Sequence, residues 1–541
     1  MSRPLYRSEL LGAEVAYLLT IEWGGVTYRW STRPCAPVDA DGTIHVFDGQ
    51  IGDVDLTLSF ELFATAPELV SVPFSLLFPV DVALRVARGF DLATATGELA
   101  LWVDGTAWED RRVLLNGDVV NPSYGADAEP VDFSLEQPPF SDAGSLIAST
   151  AVVSDDTWND RLGDQAVGTD GLAYPFIIGA PGYYDTLSSG PTGTSGSRAI
   201  VVDDGSGNAD TLLIAGHPVV GTRCRIFSTT NNETFDITVT TDGLGLPVSV
   251  VDVTSAGTLT RSGTDYWVVW QDGASGTVQG GFPGIYDTPF LEGAGDVLLF
   301  MLQRSTLTVD VGRCQAAAAL LNHIKIGAMI DEPVTPWDWL TDNLLPLLPM
   351  SLVSGPDGVY PVVWRYDATT TDAVIALTEG EQVERTSPVE YEQARRDVYN
   401  EFRLSYAKRL RTEEWKRQIV LKAEPDTNAR GEHGSVYAWV SQNRYGNRVL
   451  EMESDILYRE ASASAVLAWM LRAQGFATRT VSYEGGVELA WLELGAVVTI
   501  TDADVSLTAQ VAIIGAMTIA PASTSLTLVL VEDVARDMHS A

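Results

Sequence analysis

The sequence predicts a mainly β protein, a β-rich α+β fold that is divided into several domains and contains a few helices. Its 541 residues exceed the usual domain size of about 100–200 residues, so about three or four domains are expected. Hydrophobic residues make up 45% of the chain, which is ordinary for a folded globular protein. The alternation of apolar and polar residues that is typical of half-buried strands recurs along the chain, whereas helical spacing is confined to short segments.

Residues 1–140 are predicted to form an N-terminal β domain. Val15–Trp23 and Val26–Trp30 have the composition of strands, and the Gly24-Gly25 pair between them can adopt the positive φ angles of a tight turn. The other predicted strands are Val54–Phe63, Asp81–Arg88, Leu99–Val103, Val113–Val120 and Val131–Leu135. A sandwich and a barrel both fit this pattern.

Residues 141–182 are predicted to be a linker, because Pro175 and Pro181 would interrupt regular sheet pairing. Residues 183–286 are rich in Gly, Ser, Thr and Asp and predict a small inserted β domain. Its expected strands are Ala199–Asp203, Thr211–Ile214, Thr234–Thr240 and Tyr266–Gln271.

Residues 287–384 are predicted to contain two helices and a hairpin. Apolar residues recur at helical spacing over Cys314–Ile326, and a shorter helix is centred on Trp337–Leu345. A strand from Met350, a turn at Gly355–Gly358 and a strand from Val359 follow, because Pro356 and Gly358 suit the corners of a turn.

Residues 385–541 predict a C-terminal β domain with one helix. Along Asp397–Tyr406, the side chains that share the apolar face of a strand are Val398, Asn400, Phe402, Leu404 and Tyr406. A helix follows over Ser462–Gln474, with Ser462 as a possible cap and Gly475 as a left-handed stop. The closing β-rich runs are Leu492–Asp502, Gln510–Ile514 and Ser525–Val531.

Four segments carry a resemblance to a known family: Thr335–Asp367, Val398–Tyr406, Leu492–Leu507 and Leu526–Asp533. The sequence of a strand, a helix, a Leu-Gly-x-x-Val-x-Ile-x-Asp turn and a final strand resembles the baseplate hub, or tail-tip, proteins of tailed, siphovirus-like bacteriophages. In those proteins these elements close a tail-tube-like β domain. The resemblance is closer in the C-terminal part of the chain than in the N-terminal domain.

The resemblance implies a structural protein of the virion that is made in the host cytoplasm and placed at the tail tip or baseplate. It implies a homotrimer whose tube-like domains form a pseudo-sixfold ring around the DNA exit channel. That ring would adapt a hexameric distal tail ring to a threefold tip and would contact the tape-measure protein and the tail fibre or tip proteins. Edge strands of a ring can pair between subunits, so the candidate intersubunit strand comprises Val398, Phe402, Leu404 and Tyr406.

Charge is the unusual feature of the composition. The chain has 72 acidic and 34 basic residues, a net charge of −38, which argues against general binding to nucleic acid or anionic lipid. Residues 385–480 differ, because their 16 basic and 13 acidic residues give a net charge of +3. This block is either a docking surface for acidic neighbours or a set of ordinary solvated faces, and the acidity of the rest reflects either habitat or function.

Catalytic and metal-binding patterns are weak. Cys314 at a helix start could be activated by the helix N-terminus, but His323 lies about 13 Å further along the same helix, so we expect a buried and inert thiol. Asp502 with Asp504, and Asp155 with Asp156, lack the pattern of a calcium loop and are read as surface turns. No histidine pair or Cys-x-x-Cys motif is present. No enzyme activity, metal or cofactor is therefore expected.

The cellular context follows from cysteine usage and hydropathy. Cys35, Cys224 and Cys314 are scattered, which favours folding in a reducing cytoplasm over a disulfide framework. The first residues lack a signal-peptide pattern, and no apolar run is long enough to predict a membrane span.

A second hypothesis is a receptor- or carbohydrate-binding tail protein that acts through residues 183–286. Tyr266, Trp267 and Trp270 could present aromatic faces to a sugar, although Trp267 and Trp270 should point to opposite faces of a flat strand. Particles that lack the insertion and still assemble but fail to adsorb would favour recognition, and particles that lose their tail tips would favour the hub. A cell-wall hydrolase is the third hypothesis, which a peptidoglycan zymogram tests.

Overall fold

The computed structural model describes residues 15–52, 54, 56–59, 70–77, 80–124, 130–137, 146–147, 172–181, 197–202, 211–217, 219, 224–228, 233–236, 239–240, 249–252, 266–270, 291–391, 398–410, 413–426, 429–520 and 523–532. Over these residues the chain is mainly β and multidomain, with curled sheets and few helices, which confirms the predicted fold class. Asp155 and Asp156 lie outside the described residues.

The N-terminal sheet has seven strands and curls until its ends meet. The strands of this region are β1 (Val15–Trp23), β2 (Val26–Ser31), β3 (Asp48–Gly49), β4 (Leu56–Ser59), β5 (Ser71–Leu76), β6 (Thr96–Val103), β7 (Arg112–Tyr124) and β8 (Val131–Glu136). All except β4 belong to the sheet, in the order β3-β2-β1-β6-β7-β8-β5. A bridge between Ile51 and Leu76 joins the two ends of this order. Gly24 and Gly25 have φ angles of 56° and 76°, which confirms the predicted turn between β1 and β2.

The predicted strand Asp81–Arg88 is wrong, because residues 80–87 form a helix, α1 (Val80–Ala87). The alternation of apolar residues in this segment imitates a strand. Val82 and Val86, however, are four residues apart and share one helical face that packs on the core, while Leu84 is exposed. Arg85 lies over the ring of Trp23 at 4.9 Å and so holds the helix against the sheet.

Part of the predicted linker is a buried strand. β9 (Phe176–Gly179) pairs antiparallel with β18 (Gly327–Ile330). Pro175 and Pro181 flank the paired residues and therefore remove no hydrogen bond from the ladder, which is why the expectation of a linker failed here.

The described part of the insertion contains two four-stranded sheets. Its strands are β10 (Ser197–Arg198), β11 (Ile200–Val202), β12 (Thr211–Ala215), β13 (Cys224–Ser228), β14 (Glu233–Asp236), β15 (Val239–Thr240), β16 (Ser249–Asp252) and β17 (Tyr266–Trp270). Their orders are β10-β17-β13-β14 and β11-β12-β16-β15. The sequence predicts this β character but misses β10, β13 and β16.

Three helices and a hairpin follow the insertion, and the first of these helices is not predicted from the sequence. The elements are α2 (Ala294–Arg304), α3 (Val311–Leu321), α4 (Pro336–Trp339), β19 (Met350–Gly355) and β20 (Gly358–Val363). The hairpin and the helix at Cys314 are confirmed, although α3 begins and ends earlier than predicted. A π-helical turn at Leu340–Leu344 continues α4.

The C-terminal sheet also curls. Its strands are β21 (Ile375–Thr378), β22 (Val383–Arg385), β23 (Glu390–Tyr391), β28 (Arg479–Gly485), β29 (Val497–Asp502), β30 (Leu507–Ile519) and β31 (Thr524–Leu530). The strand order is β21-β29-β30-β31-β28-β22. The first and last strands of this order, β21 and β22, are neighbours in sequence, and a bridge between Glu379 and Val383 lies at the short turn that connects them. The three predicted β-rich runs correspond to β29, β30 and β31.

The two curled sheets share one hydrophobic core. β4, from the N-terminal region, pairs antiparallel with the Ala516–Ile519 end of β30. The Tyr17 hydroxyl of β1 donates to the Ile519 carbonyl at 2.8 Å inside this core. Residues from both sheets belong to a single buried cluster, so the N-terminal and C-terminal β units are packed together.

A second core holds a smaller sheet and its helices. The elements are β24 (Glu401–Arg409), β25 (Glu414–Lys422), β26 (Glu432–Gly434), β27 (Val449–Glu453), α5 (Val436–Tyr445) and α6 (Glu460–Gln474). The strand order is β26-β25-β24-β27. The helix at Ser462 is confirmed, but its caps are not. Ser462 lies inside α6, and its hydroxyl accepts from the Lys325 N–H at 2.8 Å. Gly475 ends the helix in a right-handed conformation, with a φ of −74°, and not in the predicted left-handed one.

Candidate assembly surfaces

The four residues of the candidate intersubunit strand lie in the interior of the chain. Val398 precedes β24, and Phe402, Leu404 and Tyr406 lie on it with at most 2% of their surface exposed. β24 pairs antiparallel with β25 on one edge and parallel with β27 on the other. Both edges of β24 are thus paired within the chain, so this strand has no open edge for pairing with another copy, and its role between copies stays a prediction.

A buried ion pair closes the C-terminal sheet. The Asp502 side chain is fully buried, and its Oδ2 accepts from the Arg385 guanidinium at 3.1 Å and from the Tyr483 hydroxyl at 3.0 Å. The expectation of a surface turn is therefore wrong for Asp502, although it holds for Asp504, whose side chain is 73% exposed. Arg385 is on β22 and Asp502 on β29, near opposite ends of the strand order, so this pair connects the two ends of the curled sheet.

The hydroxyl of Tyr483 is held as a hydrogen-bond donor in this cluster. Burial, and next the hydrogen bond to the Asp502 carboxylate, raise the pKa of Tyr483 above its ordinary value. The second oxygen of Asp502, Oδ1, accepts from the Asp504 backbone N–H at 3.0 Å. Both carboxylate oxygens are satisfied, which a buried charge requires.

The candidate sugar-binding aromatics lie on β17. Tyr266 is buried, and Val268 on the same face is buried as well, whereas Trp267 is half-buried on the other face. Trp267 stands opposite Phe227 of β13 and Arg198 of β10 in the sheet. The backbone of Trp270 belongs to β17, but its side chain lies outside the described part of the structure. Tyr266 therefore acts as a core residue, and a sugar contact remains a prediction for the two tryptophans.

Cys314 is buried in the first turn of α3. Burial, and then the charge of Asp310, raise the pKa of the Cys314 thiol to about 12, so the thiol is protonated at neutral pH. His323 is exposed, and its ring nitrogen lies 2.7 Å from the Leu320 carbonyl. The helix N-terminus is occupied by the Asp310 side chain, which accepts from the Arg313 N–H at 3.0 Å. Cys314 and His323 therefore make none of the contacts that join a catalytic nucleophile to its base.

We expect the Cys314 thiol to resist a thiol reagent in the folded chain and to react fully in denaturant. The raised pKa and the burial both lower the concentration of accessible thiolate. The measurement is a timed reaction with a coloured disulfide reagent at pH 7, in which Cys314→Ala identifies the signal of this residue. Fast labelling of Cys314 in the folded protein would contradict this prediction, because it would show that the thiol becomes accessible without unfolding.

Among the described residues, no group of three or more His, Cys, Asp or Glu side chains could hold a metal ion. Within the same residues, none of the helices is long and apolar enough to cross a membrane.

A cavity of about 600 Å³ lies between the polar face of the N-terminal sheet and the turn of the β19–β20 hairpin. Trp108 is the aromatic residue in its wall, but the His45 ring stacks on it at 4.4 Å between centroids and the Arg111 guanidinium lies 3.8 Å from its centroid. Asn116 and Gln137 donate from the sheet to carbonyls of the hairpin turn at 3.0 and 3.1 Å. The indole faces are already used by the protein, so this cavity lacks the open ring on which a sugar stacks.

Comparison with known proteins gives structural similarities at low sequence identity. No protein-family model matches the chain, and no curated protein matches it. The chain is similar to the tail protein from Neisseria meningitidis MC58, with a TM-score of 0.38, 11% identity, and coverage of 96% of this chain and 97% of that chain. It is also similar to the 43 kDa tail protein of prophage MuSo2 from Shewanella oneidensis, with a TM-score of 0.37, 9% identity, and coverage of 94% and 98%.

A third similar structure is a chain of the virion of a native gene transfer agent particle, with a TM-score of 0.16 and 12% identity. The match covers 48% of this chain and 79% of that chain.

Proposed function

We propose that this chain is a structural hub protein of a phage tail, placed at the tail tip or baseplate of the virion and acting without catalysis. Three copies would form a ring around the DNA exit channel. The ring would join a hexameric distal tail ring and the tape-measure protein on one side to a threefold tip or fibre complex on the other.

One observation carries the proposal. Each chain contains two curled β sheets that share one hydrophobic core, and β4 from the N-terminal region pairs with β30 of the C-terminal sheet, so the two sheets form one packed pair. Three such pairs supply six β units, which is the number needed to match a hexameric ring with a threefold one. The resemblance of Leu492–Leu507 and Leu526–Asp533 to tail-tip proteins is consistent with this role, because these residues form β29 and most of β31 and reach the first residue of β30.

Net charge supports a channel that lets DNA pass. Three copies at −38 each would repel the phosphate backbone wherever their acidic faces line the ring. DNA would then slide without binding. A basic lining would contradict this part of the proposal.

Electron microscopy of the purified chain and of intact particles tests the proposal. We expect a threefold ring with six β lobes around an open centre, located on the tail axis. A peripheral spike, or a chain that remains a monomer at all concentrations, would contradict it. No clearing of a peptidoglycan gel is expected from either the wild type or Cys314→Ala, and clearing by the wild type alone would make the chain an enzyme.

A further inference from the structure

A buried histidine joins the insertion to the rest of the chain. His217 comes two residues after β12, a strand of the insertion, and its ring accepts a hydrogen bond from β9, which pairs with β18 outside the insertion. We propose that His217 is a pH-sensitive latch, which holds the insertion on β9 at neutral pH and releases it in mild acid. This inference goes beyond the structural hub role and does not depend on it.

The contact between the insertion and β9 includes two adjacent hydrogen bonds. The Gly216 N–H donates to the Pro175 carbonyl at 2.7 Å, and the Ile177 N–H donates to Nε2 of His217 at 3.0 Å. Gly216 fits closely, because a Cβ at this position would lie 2.8 Å from Cβ of Tyr174. The two residues that follow β12 therefore bind the start of β9 through one backbone acceptor and one side-chain acceptor.

A second strand of the insertion reaches the same place. The Arg198 N–H of β10 donates to Sδ of Met329 at 3.3 Å. Met329, on β18, is the register partner of Ile177 on β9. The insertion thus contacts the β9–β18 pair at one register position from two of its strands. Because these contacts are concentrated there, breaking the bond to His217 should loosen the insertion and not only one side chain.

The hydrogen bond from Ile177 determines the protonation state of His217. A backbone N–H is always a donor, so Nε2 has to accept with its lone pair, and the ring is neutral with its proton on Nδ1. In the charged imidazolium both nitrogens carry protons, so it cannot accept this bond. Protonation would therefore place two donors face to face in a buried site, because His217 is only 9% exposed.

The surroundings of His217 oppose a positive charge. Its ring packs against the ring of Phe176 at 4.8 Å between centroids, and Phe176 stacks on Phe300 of α2 at 5.6 Å. The Arg304 guanidinium lies 5.6 Å from the Phe176 centroid. A protonated His217 would thus enter an apolar cluster that already has a cation beside it, which disfavours the charged form.

The elements packed around this cluster place no carboxylate next to the ring. β9, β12 and β18 have no titratable side chain. α2 contains Asp296, but this residue is in the first turn of the helix, whereas Arg304 is in the last. Tyr174 precedes β9, and a phenol does not ionise between pH 5 and 8. None of these elements therefore offers a protonated His217 the anion that would hold it in place.

The sign of the pH dependence follows from which state binds the proton more readily. A released imidazole is in water, where histidine titrates near pH 6.5. In the latched state the proton binds only at lower pH, because it has to displace the hydrogen bond from Ile177 and enter a buried site. The released state thus binds more protons. The latch is fully engaged above about pH 6.5 and weakens below it, by about tenfold per pH unit for one proton.

Hydrogen exchange of the full chain at pH 7.5 and pH 5.5 tests the latch. Exchange at the Ile177 and Gly216 amides is resolved by fragmentation mass spectrometry and divided by the intrinsic chemical rate at each pH, which gives the opening equilibrium constant of the contact. We expect this constant to rise by about tenfold in acid at both amides. An unchanged constant would overturn the latch. A rise at Ile177 alone would also overturn it, because the ring would then turn away while the insertion stays in place.

Two histidine variants identify the proton that is responsible. In His217→Gln the amide oxygen can accept from the Ile177 N–H but does not titrate, so both amides should stay protected at both pH values. His323→Gln is the matched control, because His323 is exposed and lies outside the contact, and it should keep the tenfold response. The same tenfold response in His217→Gln would contradict the latch. Thermal melting at pH 7.5 checks that each variant is folded, and an unchanged constant in the wild type overturns the latch whether or not His217→Gln folds.

Discussion

Asp502→Ala is expected to lower the free energy of unfolding by about 3–5 kcal/mol, the cost of removing one partner of a buried ion pair. The Asp502 carboxylate is fully buried between β29 and β22, and its loss leaves Arg385 and the Tyr483 hydroxyl without their acceptor. Urea unfolding followed by fluorescence measures the effect. The midpoint should fall while the slope stays constant, because the area that unfolding exposes is unchanged.

Two variants isolate the cause. Asp504→Ala is the control, because Asp504 is 73% exposed, and it is expected to change stability by no more than about 1 kcal/mol, as for a surface ion pair. Tyr483→Phe removes one neutral donor and is expected to cost about 1 kcal/mol. If Asp502→Ala lowered the free energy of unfolding no more than Asp504→Ala does, the Arg385–Asp502 ion pair would not hold the ends of the sheet together.

Local signals predicted the elements that are built from neighbouring residues. The Gly24-Gly25 turn, the hairpin around Pro356 and the helix over Ser462–Gln474 depend on glycine, proline and a helical repeat, all of which are visible within a short window. The strand predicted at Asp81–Arg88 failed because alternation and helical spacing both fit Val82 and Val86. Tertiary packing against the core decided between them.

Long-range pairing could not be predicted in the same way. Nothing in Leu56–Ser59 shows that it pairs with Ala516–Ile519, more than four hundred residues away. Asp502 looks like a turn former in the sequence, and only the curl of the sheet brings Arg385 beside it. Which edges of a sheet remain open is a property of the whole topology, so the alternation along β24 cannot show that both of its edges are paired within the chain.

The apolar side chains of β24 pack in the core of a single chain, so truncating one of them should destabilise that chain even as a monomer. Phe402→Ala is expected to reduce the free energy of unfolding by about 3–5 kcal/mol, the usual cost of an aromatic-to-alanine change in a core. Phe402 has no exposed surface and belongs to the second core, in which α6 packs on the sheet. Its backbone neighbours on both sides are Leu421 and Leu450 of the same chain.

Ser405→Ala, on the opposite face of β24, is the matched control and is expected to stay within about 0.5 kcal/mol of the wild type. Unfolding should be measured at a protein concentration at which the chain is a monomer, so that assembly does not contribute, and assembly should be measured separately at high concentration. A chain that loses assembly but keeps monomer stability on Phe402→Ala would return β24 to the interface between copies. A monomer that unfolds at lower urea would assign Phe402 to the core, because a residue that faces a partner cannot stabilise a chain that has none.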